Sequence, residues 1–168
     1  MATTLEEKAQ RANQAIHHLL ENYKTASLAT VDGSGAPIVS YAPVAVDSER
    51  RFYLFVSELA DHTANLIRGG PLSLLLMEDE CRSKLLFARS RLTLTGPVTH
   101  IGRRSERWAD ASSIYGRRFG KFFDQLVTLP DFHMFCLEPH SARIVVGFGI
   151  AFEIGLPDWS SLTLITGK

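Results

Sequence analysis

Short apolar runs alternate with tight-turn residues along the first third of this chain. This pattern of strands separated by turns constrains the fold more than any other feature. Residues 24–31, 37–46 and 52–56 each have the pattern of a strand. Between the first two lies Asp32-Gly-Ser-Gly35, which is typical of a hairpin turn because glycine tolerates a positive φ. Strands joined this tightly pair in antiparallel fashion. The segment therefore predicts a three-stranded meander.

The rest of the chain adds more strands and a few helices. Strand patterns recur at residues 72–77, 91–98, 132–138 and 143–154. Helical spacing is found up to about Tyr23, at residues 61–68 and at residues 105–126, with a break expected near Gly116 or Gly120. Six or seven antiparallel strands with flanking helices predict a mainly β, α+β fold in the form of a small barrel.

Length and composition indicate one ordinary folded domain. The chain has 168 residues, of which 45% are apolar and 21% charged. We expect a helix in residues 1–24, a barrel in residues 25–154 and a tail in residues 155–168. No apolar run approaches the ~20 residues of a membrane span, and the polar N-terminus is unlike a secretory signal. The sequence therefore predicts a protein that does not bind membranes.

The cysteines and the net charge argue against two further classes of site. Cys81 and Cys136 lack a CxxC motif and a histidine at ligand spacing, so we expect no metal site but two reduced thiols in a cytoplasmic protein. A formal net charge of zero argues against general nucleic-acid binding. Locally, residues 84–121 carry nine Lys or Arg against two acids, Glu106 and Asp110. That excess suits a phosphate or propionate ligand, or the solvated face of a helix.

Polar residues at the ends of strands are the candidates for a binding site. Ser57 closes a strand, and His62, Thr63 and Asn65 follow in the first turns of a short helix, whose N–H groups favour an anion. A second group consists of three cations: Lys84, Arg89 and Arg91. A guanidinium beside the hydroxyls of neighbouring threonines can bind phosphate or carboxylate oxygens through paired hydrogen bonds.

Ordered motifs across residues 25–154 resemble the pyridoxamine 5′-phosphate oxidase-like FMN-binding split barrels, and within them the haem-utilisation (HugZ/HutZ-like) branch. The motifs are Ser27-Leu-Ala-Thr-Val-Asp32, His62-Thr-Ala-Asn-Leu66, Leu86-Phe-Ala-Arg-Ser-Arg-Leu92, Pro130-Asp-Phe132 and Gly147-Phe-Gly149. The resemblance implies a homodimeric split β-barrel that holds a small-molecule cofactor, haem or FMN, at the subunit interface. Asp131, in the Asp-Phe element, joins the candidate cofactor-binding residues on this basis.

The sequence departs from the flavin-using members of this superfamily. Those oxidases bind the flavin phosphate with a Ser-Arg-Lys run and an Arg on an earlier strand. The corresponding run here is Ala60-Asp61-His62, and residues 37–43 contain no arginine. A carboxylate at this position repels a phosphate dianion, at a cost of about 1 kcal/mol if exposed. Arg91, with Arg89 and Lys84, would have to compensate.

The sequence also departs from the haem-utilisation branch. That resemblance implies an iron-ligating His in a C-terminal segment, supported across the dimer by an Asp that corresponds to Asp131. No His follows His140 in this sequence. His133, on the same strand face as Phe135, is the substitute ligand that the sequence offers, against the alternative of a structural histidine.

Three hypotheses for function follow from these observations. The first is a haem-binding or haem-degrading protein, with Arg89 or Arg91 pairing with propionates and an external donor supplying electrons. The second is an FMN-dependent oxidoreductase of the pyridoxamine 5′-phosphate oxidase type. The third is a non-catalytic ligand-binding barrel. The absence of a C-terminal His argues against the haem hypothesis, and Asp61 argues against the FMN hypothesis. Both observations together favour a non-catalytic barrel.

Overall fold

The computed structural model describes residues 4–166. It begins with helix α1, Leu5–Asn22. Thr4 caps this helix by accepting a hydrogen bond from the Glu7 amide at 3.2 Å, while the Glu7 carboxylate accepts one from the Thr4 amide at 2.8 Å. This is a capping box, which stabilises a helix start because it satisfies two unpaired N–H groups. One buried stripe of α1 packs on the barrel and consists of Ala12, Ile16, Leu19 and Leu20.

Within residues 4–166, ten strands, three further α-helices and two one-turn 3₁₀ helices, Glu80–Arg82 and Leu86–Ala88, follow α1. The strands of the first half are β1 Thr25–Val31, β2 Pro37–Val46, β3 Phe52–Ser57, β4 Leu72–Met77 and β5 Arg91–Gly96. Those of the second half are β6 Val98–Ile101, β7 Phe132–Leu137, β8 Ser141–Val145, β9 Ala151–Ile154 and β10 Leu162–Leu164. The helices are α2 Asp61–Ile67, α3 Arg107–Phe119 and α4 Lys121–Leu126. Gly120, one of the two glycines near which the sequence predicted a break, separates α3 from α4.

All ten strands belong to one antiparallel sheet, in the order β10-β9-β8-β5-β4-β1-β2-β3-β7-β6. The long strand β2 joins its two parts: the first half of β2 pairs with β1, and its last residues pair with β3. The sheet curls around a core that takes side chains from both parts, including Leu28, Leu74, Leu94 and Phe135. This is the antiparallel split-barrel architecture expected from the sequence, and it confirms the predicted fold class.

Side chains along each strand point alternately into the barrel and away from it, so the sheet has an inward and an outward face. On β5, Leu92 and Leu94 are buried in the barrel core, so Arg91 and its alternating neighbours point outward. On β2, Ala42 and Val44 point inward, and the outward residues include the exposed Val39 and Tyr41. A second, smaller core lies on the other side of β3 and β7, where α3 and α4 cover Phe55, Met134 and Cys136.

The ten strands exceed the predicted six or seven, for two physical reasons. The predicted strand 91–98 ends at Gly96, and after Pro97 the chain moves to the other part of the sheet, where β6 pairs with β7. The predicted strand 143–154 is a hairpin, because Gly147 and Gly149 adopt positive φ values of 74° and 72° and turn the chain between β8 and β9. Glycines placed inside a strand by the sequence analysis are therefore turn residues.

Residues 155–164, within the segment expected to be a tail, extend the sheet. Strand β10 pairs with β9, and the Trp159 ring packs 6.5 Å from that of Phe52. The guanidinium of Arg50 lies 4.7 Å from the centre of the Trp159 ring. Within residues 4–166, no helix combines the length and the apolar character needed to cross a membrane.

Candidate functional site

The end of β3 and the start of β7 bring two of the predicted site residues into contact. The Ser57 hydroxyl donates to Asp131 Oδ2 at 2.8 Å, and the Glu58 amide donates to the Asp131 carbonyl at 2.9 Å. This contact joins residues 74 positions apart, and it forms because Ser57 is paired with Phe132 in the β3–β7 ladder. The antiparallel register therefore positions the Asp131 carboxylate beside Ser57, where β3 ends and β7 begins.

His133, the substitute iron ligand suggested by the sequence, uses both ring nitrogens within the protein. Its Nε2 lies 2.7 Å from Glu58 Oε1, and its Nδ1 lies 3.2 Å from His100 Nε2 on β6. We refer to Glu58, His133 and His100 as the triad. His133 is thus an internal member of a hydrogen-bonded series, and its two partners were not among the predicted site residues.

The triad fixes the proton positions of its neutral form. The Glu58 carboxylate only accepts, so His133 donates to it through Nε2 and carries a lone pair on Nδ1. That lone pair accepts from His100 Nε2–H, which leaves the lone pair of His100 on Nδ1. Burial, and secondarily the nearby His133, lowers the pKa of His100 below its ordinary value. His100 is therefore neutral at neutral pH.

A cavity of about 410 Å³ opens beside His100 and His133. Its apolar walls come from the strands and from α3: Ile101, Trp108, Phe132 and Met134. Arg103 forms a rigid part of the wall, because it donates to the carbonyls of Val127 and Phe132 and lies 4.9 Å from the centre of the Trp108 ring. Arg104, also on the wall, is exposed. The volume and apolar lining are those of a small-molecule site.

The three predicted residues of α2 are buried and have partners inside the fold. His62, only 5% exposed, places Nδ1 2.9 Å from the Ser40 hydroxyl, and burial lowers its pKa. Thr63 donates to the Ser57 carbonyl at 2.6 Å. Asn65 donates to the Thr30 hydroxyl at 2.9 Å. These contacts position α2 against β1 and β2, on the inward side of the sheet.

The predicted cations lie elsewhere: Lys84 and Arg89 are on the segment between β4 and β5, and Arg91 is the first residue of β5. Arg89 donates to the Glu78 carbonyl at 2.7 Å and forms an ion pair with Glu80 at 3.1 Å. Arg91 donates to the Arg89 carbonyl at 3.2 Å and points to the outward face. Lys84 is exposed and lines a groove of about 550 Å³ between this segment and α1. The Arg89 guanidinium is therefore used in contacts within the protein. Lys84 and Arg91 still have N–H donors that can bind a ligand.

The predicted residues therefore fall into separate places rather than one pocket. Ser57 and Asp131 are in contact where β3 ends and β7 begins, and His133 on β7 contacts Glu58 and His100, whereas His62 faces inward from α2. Arg91 faces outward on β5, on the opposite side of the sheet. Glu58 and His100 were missed because their partner lies 75 and 33 positions away, and only strand register reveals such contacts.

The donor groups fit a haem better than a flavin phosphate. Arg91 and Lys84 keep hydrogen-bond donors that can bind the carboxylates of a haem. By contrast, Asp61 places a carboxylate in the first turn of α2, which would repel a flavin phosphate bound there. Within residues 4–166, no group of three or more His, Cys, Asp or Glu side chains is arranged to hold a metal ion. Both cysteines are unpaired, and burial raises the pKa of Cys136 to about 11.

Comparison with known proteins gives one family match and several relatives. The family model described as pyridoxamine 5′-phosphate oxidase matches residues 12–146. The haem oxygenase HutZ of Vibrio cholerae is 38% identical over 148 residues, which make up 88% of this chain and 84% of that protein. A crystal structure of HutZ, described as a haem storage protein, superimposes with a TM-score of 0.74 at 37% identity, covering 82% of this chain and 95% of the other.

A more distant solved structure supports the fold alone. Campylobacter jejuni ChuZ superimposes with a TM-score of 0.78 at 23% identity, covering 98% of this chain and 64% of the ChuZ chain. The match therefore extends over nearly all of the present sequence, whereas ChuZ has a further third of its chain beyond it.

Proposed function

This chain belongs to the pyridoxamine 5′-phosphate oxidase family, and we propose that within this family it binds haem as part of haem-iron utilisation. The observation that carries the proposal is its 38% identity with the haem oxygenase HutZ across 88% of this chain. The family match, which covers residues 12–146, includes the segments around Asp131 and Arg91. The proposal concerns haem rather than FMN because Asp61 places a carboxylate in the first turn of α2, where it would repel a flavin phosphate.

We infer that the exposed cations would hold the haem propionates. Arg91 points outward from β5 and makes one hydrogen bond, to the Arg89 carbonyl, so part of its guanidinium is available to a carboxylate. Lys84 is exposed on the neighbouring segment. When bound, the haem itself would supply the oxygen chemistry, and the protein would bind it, orient it and exclude water. Oxidative degradation is the activity we propose for the complex, by analogy with HutZ.

We also propose that the working form is a homodimer. The outward face of β1 and β2 carries apolar side chains that the chain itself leaves uncovered: Val39 is 78% exposed and Tyr41 62% exposed. A second copy of this chain would cover such a face. This face continues across the sheet to Arg91 on β5, so a partner subunit would lie beside the proposed propionate anchor. The two unpaired thiols favour a reducing, cytoplasmic location.

Parallel titrations of the purified protein with hemin and with FMN test the proposal. We expect a Soret band that saturates at about one haem per subunit, and unchanged flavin fluorescence in the FMN titration. Quenched flavin fluorescence without a Soret shift would replace haem with FMN, and binding of neither would support a different ligand. Adding a reductant in air to the haem complex then tests degradation, which would appear as progressive loss of the Soret band.

A further inference from the structure

We propose that the groove between α1 and residues 78–90 binds a nucleoside polyphosphate. The groove has a volume of about 550 Å³, which is typical of small-molecule sites, and basic, polar and apolar side chains line it. The residues that would bind the phosphates are Arg11 on α1 and Arg82 on the 3₁₀ helix Glu80–Arg82. This site lies outside the haem site proposed above and does not depend on it.

The walls of the groove come from three parts of the chain, and hydrogen bonds hold these walls together. The Gly147 amide, in the turn between β8 and β9, donates to the Ala88 carbonyl at 3.2 Å. The Asp79 amide donates to the hydroxyl of Tyr23, at the end of α1, also at 3.2 Å. The protein makes both contacts without a ligand, so the groove is preorganised for binding.

Positive charge dominates the lining of the groove. Arg11, Arg82 and Lys84 are exposed, and no ion pair within residues 4–166 includes any of them. Among the described lining residues, Glu78 is the one carboxylate, and it accepts a hydrogen bond from the Ser90 amide at 3.2 Å. A concave surface with an excess of one charge concentrates its field. Three cations against one carboxylate therefore favour a ligand with more than one negative charge.

The two arginines reach the groove from different walls. A Cβ on Gly147 would lie 3.3 Å from Arg11 Nη2, so the Arg11 guanidinium lies against the β8–β9 turn, where a glycine leaves room for it. Arg82 comes from the segment that faces α1 across the groove. A guanidinium binds phosphate oxygens through paired hydrogen bonds. Two guanidinium groups on different walls therefore suit a chain of phosphates better than a single phosphate.

An apolar surface in the same groove suits the nucleoside part of the ligand. Small and apolar residues contribute this surface: Ala15, Leu85, Ala88 and Val146. Polar side chains beside it can form hydrogen bonds with a base or a ribose: Gln14, Ser83 and Ser90. Phosphates on the arginines and a nucleoside on the apolar surface therefore account for both parts of the lining.

The groove is distant from the start of α2, where flavin-using relatives bind a phosphate. Asn65 of α2 donates to Thr30 near the end of β1, whereas α1 ends just before β1 begins, so the two helices lie at opposite ends of this strand. The groove also differs from the proposed haem anchor, because Arg91 points outward whereas α1 packs on the barrel core. Lys84 is also proposed to contact a propionate, so the variants below leave it unchanged.

Isothermal titration calorimetry with ATP, in magnesium-free buffer of low ionic strength, tests the site. Wild-type protein should bind about one ATP per subunit. Arg11→Gln and Arg82→Gln should each weaken binding roughly tenfold, because each loses a paired contact to phosphate. Arg117→Gln is the matched control, since it removes the same charge from an exposed arginine that bonds Ser113 on α3, and it should bind ATP like wild type.

Partial ligands test the two halves of the site. Adenosine should not bind measurably, because it lacks the phosphates that the arginines contact. Tripolyphosphate should bind, but less tightly than ATP, because it lacks the nucleoside. If tripolyphosphate binds as tightly as ATP, the groove does not recognise a nucleoside and this part of the proposal is wrong.

Four further results would overturn the site itself. They are a wild-type protein that does not bind ATP, an Arg117→Gln variant weakened as much as Arg11→Gln, a loss of hemin affinity in Arg11→Gln or Arg82→Gln, and ATP-induced amide NMR shifts centred on α2. We expect the shifts to be largest among residues that line the groove, such as Gln14 and Ser83. We expect hemin affinity to stay unchanged in both variants, whether or not the haem proposal holds in detail.

Discussion

At the scale of single residues, the residue types predicted ligand-binding side chains, but several of these side chains form hydrogen bonds within the protein instead. His62, Thr63 and Asn65 match a motif that suggests anion binding, yet each has a hydrogen-bond partner inside the fold. His133 was a candidate ligand from its sequence position, but its ring bridges Glu58 and His100. The sequence shows which side chains could bind a ligand. It does not show their hydrogen-bond partners, because these depend on strand register between distant segments.

Replacing Arg91 tests the proposed propionate anchor. Arg91→Ala should weaken hemin binding by about 1–3 kcal/mol, because a charge-assisted hydrogen bond to a carboxylate is lost. Hemin titration followed in the Soret region measures the effect. Arg117→Ala is the control, since Arg117 lies on α3 and bonds Ser113 on the same helix. Equal affinities of wild type and Arg91→Ala would exclude Arg91 from the site.

Asp47 predicts a pH dependence of stability. Burial alone would raise its pKa, but hydrogen bonds from the Arg51 amide and guanidinium and from the Tyr53 hydroxyl outweigh burial, so the pKa is lowered. A lowered pKa in the folded state stabilises the protein above the ordinary value of about 4, and this contribution disappears as pH falls through the folded-state value.

Urea unfolding of Asp47→Asn at several pH values measures this contribution. At neutral pH the variant should be less stable than wild type by about 1–2 kcal/mol, and the difference should shrink as pH falls below about 4. Asp124→Asn, which removes an exposed carboxylate from α4, controls for the change in net charge. A difference that stays constant down to acid pH would contradict this account of Asp47.

At the scale of secondary-structure elements, local pattern predicted most of the fold. The first helix, which ends near Tyr23, and the break near Gly116 or Gly120 were predicted from the sequence and are confirmed. The pattern failed where the chain changes partners: residues 91–98 alternate without interruption, but β5 ends at Gly96 and β6 pairs in the other part of the sheet. Such a change reflects tertiary pairing, which a local pattern does not contain.

Gly96 shows why that change of partner needs a glycine. A Cβ at this position would lie 2.5 Å from the Glu138 carbonyl oxygen and 3.1 Å from the Pro139 Cα, both backbone atoms. Gly96→Ala should therefore destabilise the protein by about 1–3 kcal/mol in urea unfolding, because backbone must shift to admit the methyl group. Gly102→Ala is the matched control, since a Cβ there meets nothing within 4 Å. If the two variants were equally stable, the close approach of the Glu138–Pro139 backbone to Gly96 would not be the reason that a glycine is needed there.

At the scale of the whole molecule, the outward face links the fold to the proposed function. Its apolar residues on β2 and its cation on β5 occupy one continuous surface, as a site shared between two subunits requires. A dimeric arrangement was implied by resemblance to a family, because no local pattern in a single chain specifies its partner. The central structural proposal is that the haem site lies on this outward face, beside the second subunit.

Breaking the apolar part of this face should dissociate the proposed dimer. Val39→Asp would bury a carboxylate between subunits, so we expect a monomer by sedimentation velocity at low micromolar concentration. Leu5→Asp is the control, because Leu5 is 60% exposed at the start of α1, which packs on the barrel core and not on the outward face. A Val39→Asp variant that sediments as a dimer would exclude this face as the interface.

The most direct test of the whole account is sedimentation velocity of the hemin-loaded wild-type protein, recorded for protein and for Soret absorbance in the same run. We predict that haem and protein sediment in a single boundary with the mass of a dimer and about one haem per subunit. Haem that remains behind the protein boundary would contradict haem binding, and haem that sediments with a monomer would contradict the subunit interface.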